Sequence, residues 1–66
     1  MQITLNGQPH ELAEPLTVSG LLAVLGLPER KIAVERNREI VPKSSYDEEL
    51  LDDGDRIEIV QFVGGG

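Results

Sequence analysis

Residues Asp52 to Gly66 read DDGDRIEIVQFVGGG. From Arg56 onward apolar and polar residues alternate, the period of a strand with one face against a core. Ile57, Ile59, Gln61 and Val63 share one side, and Arg56, Glu58, Val60 and Phe62 share the other. The Asp-Asp-Gly-Asp ahead of them is a turn, because Gly54 tolerates positive φ and aspartate side chains bond nearby backbone. After the strand come Gly64, Gly65 and Gly66, the residue type that loses most freedom on ordering. Read as a terminus, they have no turn to make. They are expected instead to serve where a neighbour approaches the backbone closely.

The rest of the chain is organised around that last strand. In MQITLNGQPHEL, Met1, Ile3 and Leu5 alternate with Gln2 and Thr4, and Asn6-Gly7 is the two-residue signal of a type I′ hairpin. Such a turn pairs Leu5 with Gln8, Ile3 with His10 and Met1 with Leu12. Pro9 has no amide proton to give a ladder, so the second strand belongs at a sheet edge. His10 reads as a half-buried edge residue, since the chain holds no cysteine and no second histidine to make a ligand set. Thr17 suits a helix N-cap, Val18, Leu21, Leu22 and Leu25 form one apolar stripe, and Gly26 and Pro28 end the helix. KIAVERNREIVP is a second hairpin with Asn37-Arg38 at its tip, which pairs Val34 with Val41 and Glu35 with Ile40. Residues 43–55 are irregular, with Tyr46, Leu50 and Leu51 expected to tuck under as a helical turn.

Composition narrows the function classes. Sixty-six residues make one domain, read as residues 1–63 followed by a flexible glycine tail at 64–66. The absence of cysteine removes disulfides, thiolate metal sites and thiol nucleophiles, and it suits the cytoplasm. No basic stretch leads into a long apolar run, so neither a signal peptide nor a membrane partner is expected. Twelve acids against six bases give a net charge of −6, which repels nucleic acid. Asp47 to Asp55 carries six of those acids and no base. It reads as a solvated loop, with steering of a basic partner surface as the alternative. No Ser-His-Asp set, phosphate-binding glycine loop or metal-ligand cluster is present, so neither a bound metal nor a stably bound cofactor is expected.

Two strands, a helix, two strands and a final strand, with one helix to cover one sheet face, give an α+β fold. The arrangement is a β-grasp: a mixed sheet of about four to five strands, its first and last strands parallel at the centre. Four stretches carry a resemblance that spans nearly the whole chain: LNG at Leu5 to Gly7, IVP at Ile40 to Pro42, DGDRIEIV at Asp53 to Val60, and the closing GGG. In that order and spacing the chain is similar to the sulfur carrier proteins of thiamin biosynthesis, which are ubiquitin-like. The resemblance implies that the Gly66 carboxylate is adenylated by an ATP-dependent activating enzyme, ATP being that partner's substrate. A sulfur-donor system then converts the carboxylate to a thiocarboxylate, and a thiazole synthase takes up the sulfur.

The tail chemistry fits those roles. A carboxylate reacts once it becomes a mixed anhydride with a phosphate, and that requires the terminus to reach a nucleotide inside another protein. Val63 to Gly66 span about 13 Å when extended, and glycines offer no side chain to obstruct a channel. Gly64 and Gly65 are thus expected to deliver Gly66. Ordering them costs about 1–2 kcal/mol per residue, so support must come from the folded body. If the helix covers Ile57 and Ile59, then Val60, Phe62 and Ile40 lie together on the opposite face as a docking patch. A carrier for molybdopterin or another product, and a β-grasp interaction module with an idle tail, remain the alternatives. The absence of proline before the glycines favours the thiamin side over molybdopterin.

Overall fold

Asn6 and Gly7, at φ 49° and 83°, reverse the chain between strand β1 (Gln2–Leu5) and strand β2 (Gln8–Glu11). The computed structural model describes residues 1–62. Ile3 faces His10 and Leu5 faces Gln8, and the Leu12 amide extends the pairing to the Met1 carbonyl at 2.7 Å. β2 is an edge strand, where the missing N–H of Pro9 is tolerated.

Helix α1 (Val18–Leu25) starts at Thr17, whose Oγ1 accepts the Gly20 amide at 3.0 Å. It stops at Gly26, which takes the left-handed conformation at φ 72° and returns its amide to the Ala23 and Leu22 carbonyls. A 3-10 turn (Glu29–Lys31) leads into β3 (Ile32–Arg36) and β4 (Glu39–Val41), joined through Asn37 and Arg38 at φ 52° and 71°. A second 3-10 turn (Lys43–Ser45) opens the irregular segment. Gly54, at φ 88°, turns it into β5 (Arg56–Gln61).

The five strands lie in the order β2-β1-β5-β3-β4, with β1 and β5 parallel at the centre and the other pairings antiparallel. This is the β-grasp arrangement. One sheet face supplies Ile3, Ile32, Val34, Val41 and Ile57, and α1 meets it with Val18, Leu21 and Leu22. Leu12, Tyr46 and Leu51 close the ends of this core. Each such side chain contributes about 1.5–3 kcal/mol on full burial, which holds an eight-residue helix that would be marginal alone.

In residues 43–55 the expected helical turn does not reach the two leucines, and only one of them is tucked under. Tyr46 and Leu51 are buried, whereas Leu50 is 58% exposed. The chain is extended there, with Leu50 bridged to Thr17 and the Leu51 amide bound to the Leu16 carbonyl at 2.9 Å. Consecutive residues of an extended segment point to opposite sides, so only one of the two leucines can enter the core.

Candidate functional site

β5 carries the chain from the core to the glycines, and its alternation decides what each face presents. Ile57 is fully buried under α1, and Ile59 packs against the rim of the core. Val60 and Phe62 point the other way and are 57% and 55% exposed. At 55% exposure Phe62 stands open beside its neighbours, and its amide holds the chain to β3's line by donating to the Lys31 carbonyl at 2.8 Å. Ile40, on β4, is 67% exposed.

The register brings these residues onto one face. Val60 lies opposite Ala33, Glu58 opposite Glu35, and Glu35 opposite Ile40. The open face therefore holds an apolar surface of Ile40, Val60 and Phe62 around two glutamates, with small Ala33 leaving Val60 uncovered. The expected docking residues thus lie on the face away from α1. Val63, Gly64, Gly65 and Gly66 lie outside the described residues, and so do the expectations attached to them.

The acidic segment is exposed at Asp47, Glu48, Asp52 and Asp53, as expected of a solvated loop, but it is also bonded to the domain. Arg36 reaches into it with three bonds: Nε to Asp55 at 2.7 Å, Nη1 to Glu49 at 2.8 Å and Nη2 to Asp52 at 3.0 Å. Asp53 accepts the Gln2 amide and Asp47 accepts the Ser19 hydroxyl, both at 2.7 Å. Five of the six acids thus tie the segment to the domain. Asp55 is the buried one, with its side chain 8% exposed. Burial opposes its ionisation, but hydrogen bonds from the Asp52 amide, Asn37 and Arg36, with the guanidinium charge, outweigh that and hold its carboxyl below the usual range. The hydrogen bond to Glu49, followed by those effects at Asp55, raises Arg36 against the opposing effect of burial.

Arg36 is the residue that reading the sequence as a charge list overlooks. Its parity was the available signal: Ile32, Val34 and Arg36 alternate onto the same face, and Arg36 lies opposite the buried Ile57. A cation at the end of an inward-facing series needs an acidic partner, and the acidic turn before β5 supplies it. His10 is half-buried opposite Ile3, as expected. Among the described residues, no group of three or more His, Asp or Glu side chains is arranged to hold a metal ion. No helix among them is long and apolar enough to cross a membrane.

The geometry can be set beside known proteins. The ThiS family profile matches residues 3–66. A thiazole synthase of Paramagnetospirillum magneticum is 52% identical over 66 residues, which are all of this chain and 20% of that protein. The chain therefore spans about a fifth of that relative's length. The sulfur carrier protein ThiS of Escherichia coli is 35% identical over 66 residues, the whole of both chains. The crystal structure of the thiamine biosynthesis protein ThiS from Geobacter metallireducens has the same fold, with a TM-score of 0.85 and 36% identity over the full length of both chains. With one profile running from β1 through the glycines, and with a β-grasp sheet that matches a solved member end to end, the chain belongs to the ThiS family.

Proposed function

We propose that this chain is a sulfur carrier for thiazole formation in thiamin biosynthesis, acting as a protein cosubstrate of other enzymes. The observation that carries this reading is the family match, which extends through the glycines to residue 66. In this reading the Gly66 carboxylate attacks the α-phosphorus of ATP in the active site of an activating enzyme, and pyrophosphate leaves. A sulfur nucleophile at the oxidation level of sulfide, from the sulfur-donor system, then attacks the acyl carbon, expels AMP and leaves a thiocarboxylate. A thiazole synthase is the acceptor of that sulfur. ATP belongs to the partner, and this chain contributes the reacting group and the means of presenting it. The cysteine-free composition suits a cytoplasmic setting.

Gly64 and Gly65 deliver Gly66, and the face bearing Ile40, Val60 and Phe62 docks the activating enzyme. An apolar surface at the root of a tail that loses entropy on ordering is where the compensating contact does most. The test is intact mass after incubation with ATP, an activating enzyme and a sulfur donor. The chain gains the difference between one sulfur and one oxygen, localised to its C-terminal peptide. A chain extended by one residue beyond Gly66 gains nothing, because misplacement by about 1 Å already costs about a hundredfold in rate. Equal thiolation of the extended chain without prior trimming overturns the proposal.

A further inference from the structure

β5 has a strand on both sides for only part of its length. β3 accompanies it from Ile57 to Gln61, whereas β1 pairs with it only at Thr4↔Arg56 and Leu5↔Ile57. The hydrogen bonds show which backbone groups face which neighbour. On the β3 side, the Arg56 carbonyl accepts the Asn37 amide and the Phe62 amide donates to the Lys31 carbonyl, both at 2.8 Å. By the alternation of an antiparallel ladder, the amides and carbonyls of Ile57, Ile59 and Gln61 face the opposite side, toward β1. There the Ile57 carbonyl accepts the Asn6 amide at 2.8 Å.

Asn6 then ends the ladder. Its backbone turns away at φ 49°, and its side-chain Oδ1 takes the place of the next carbonyl by accepting the Ile59 amide at 2.8 Å. Beyond that point no strand lies beside the Ile59 carbonyl or the Gln61 amide and carbonyl, among the described residues. The same opening borders a groove of about 360 Å³ lined by Leu5, Asn6, Leu25, Leu27, Ile59 and Gln61. Strand-spaced backbone donors and acceptors beside an apolar recess match the chemistry of an extended peptide, whose main chain pairs while alternate side chains fill pockets. Gly64, Gly65 and Gly66 have no side chains with which to fill it.

We propose that an extended apolar segment of the thiazole synthase adds to the sheet here as a strand. It runs in the lane that β1 leaves, pairs with the Ile59 carbonyl and with Gln61, and places an apolar side chain in the groove. The inference rests on the carrier reading given above. The choice of partner comes from the relative of 52% identity, a protein named thiazole synthase in which the residues matching this chain make up 20% of the polypeptide. Position supports the same choice, since the lane runs beside β5 toward the glycines that would deliver the sulfur. A strand held against Gln61 stiffens the root of the tail and so lowers the entropy lost in aligning it.

Hydrogen exchange on the wild-type chain, with and without a purified stand-alone thiazole synthase, tests the proposal. In the free chain the Gln61 amide exchanges faster than that of Phe62, which is bonded to Lys31. Adding the synthase slows Gln61 at least about fivefold, the worth of one net hydrogen bond. A second arm uses Gln61→Pro, which removes an amide that faces away from β3 and puts the ring into the lane, leaving the β3 ladder whole. Its melting temperature stays near wild type, and its Kd for the synthase rises at least about fivefold. Binding without protection of Gln61, or wild-type affinity in a folded Gln61→Pro, overturns strand addition and leaves the carrier reading standing. Protection that grows with the concentration of this chain alone overturns it too, assigning the lane to a second copy. Failure of the thiocarboxylate form to bind the synthase at all overturns both readings. The exchange arm does not depend on whether the proline variant folds.

Discussion

Replacing Arg36 by methionine removes the guanidinium and keeps most of the stem that lies opposite Ile57. The cost can be apportioned among its three partners. Glu49 and Asp52 are 33% and 79% exposed, so their bonds to Arg36 contribute about 0–1 kcal/mol each and water can replace them. Asp55, at 8%, cannot recover a water shell. Stripping one partner from a fully buried ion pair costs about 3–5 kcal/mol. Here the carboxylate keeps the Asp52 amide at 2.7 Å and the Asn37 amide at 3.0 Å, so the expected loss is about 2–3 kcal/mol. A domain of this size has roughly 3–10 kcal/mol in all, and at about 4–8 °C per kcal/mol the melting temperature falls by about 10–20 °C.

Urea denaturation followed by circular dichroism at pH 7, and again through the acid range, measures the effect, with Arg36→Met/Asp55→Asn completing a double-mutant cycle. The pH dependence has a defined sign. Asp55 is held below its ordinary value, so the stability it contributes is fully present above about pH 3.9 and is lost as pH falls through its lower folded-state value. The gap between wild type and Arg36→Met is therefore complete at pH 7 and narrows in acid as Asp55 is protonated. A loss below about 0.5 kcal/mol at pH 7, the scale of an exposed pair, or a gap that stays constant into acid, refutes the assignment of Asp55 as the buried anchor.

Three further outcomes are expected. Changing Val60 and Phe62 together to serine leaves the melting temperature within a few degrees, because both are more than half exposed, and weakens capture by the activating enzyme; unfolding would instead put them in the core. On the delivery role proposed for the glycines, Gly65→Val leaves stability unchanged but abolishes the sulfur-for-oxygen mass gain, since a β-branched side chain would obstruct a channel that is to admit only backbone; normal thiolation of this variant would remove the need for a bare backbone at that position. Arg38→Gly raises stability by about 0.5–1 kcal/mol in thermal melts, because Arg38 sits at φ 71°, where a Cβ is strained. A destabilised Arg38→Gly would show that the arginine side chain contributes more than its backbone costs.

Features that neighbouring residues settle among themselves are legible in the amino-acid order. Asn6-Gly7 and Asn37 set two hairpins because Asn and Gly accept positive φ, with Arg38 carried into φ 71° at the second tip, and each hairpin's register is fixed by its turn. Thr17 and Gly26 bound the helix through groups within one turn. Alternation along β5 and β4 was enough to put Ile40, Val60 and Phe62 on the face away from α1, and the glycine run is a property of composition. The tertiary structure alone decided the rest. Arg36 meets partners 13, 16 and 19 residues away, and Asn6 closes the β1–β5 ladder on Ile59 across 53 residues. Leu51 enters the core while Leu50 does not, according to which side of an extended segment faces Leu16. Local sterics cannot choose among such partners, because the choice depends on where residues 43–55 return to the sheet, and that path exists only once the helix and the strands have closed on a common core.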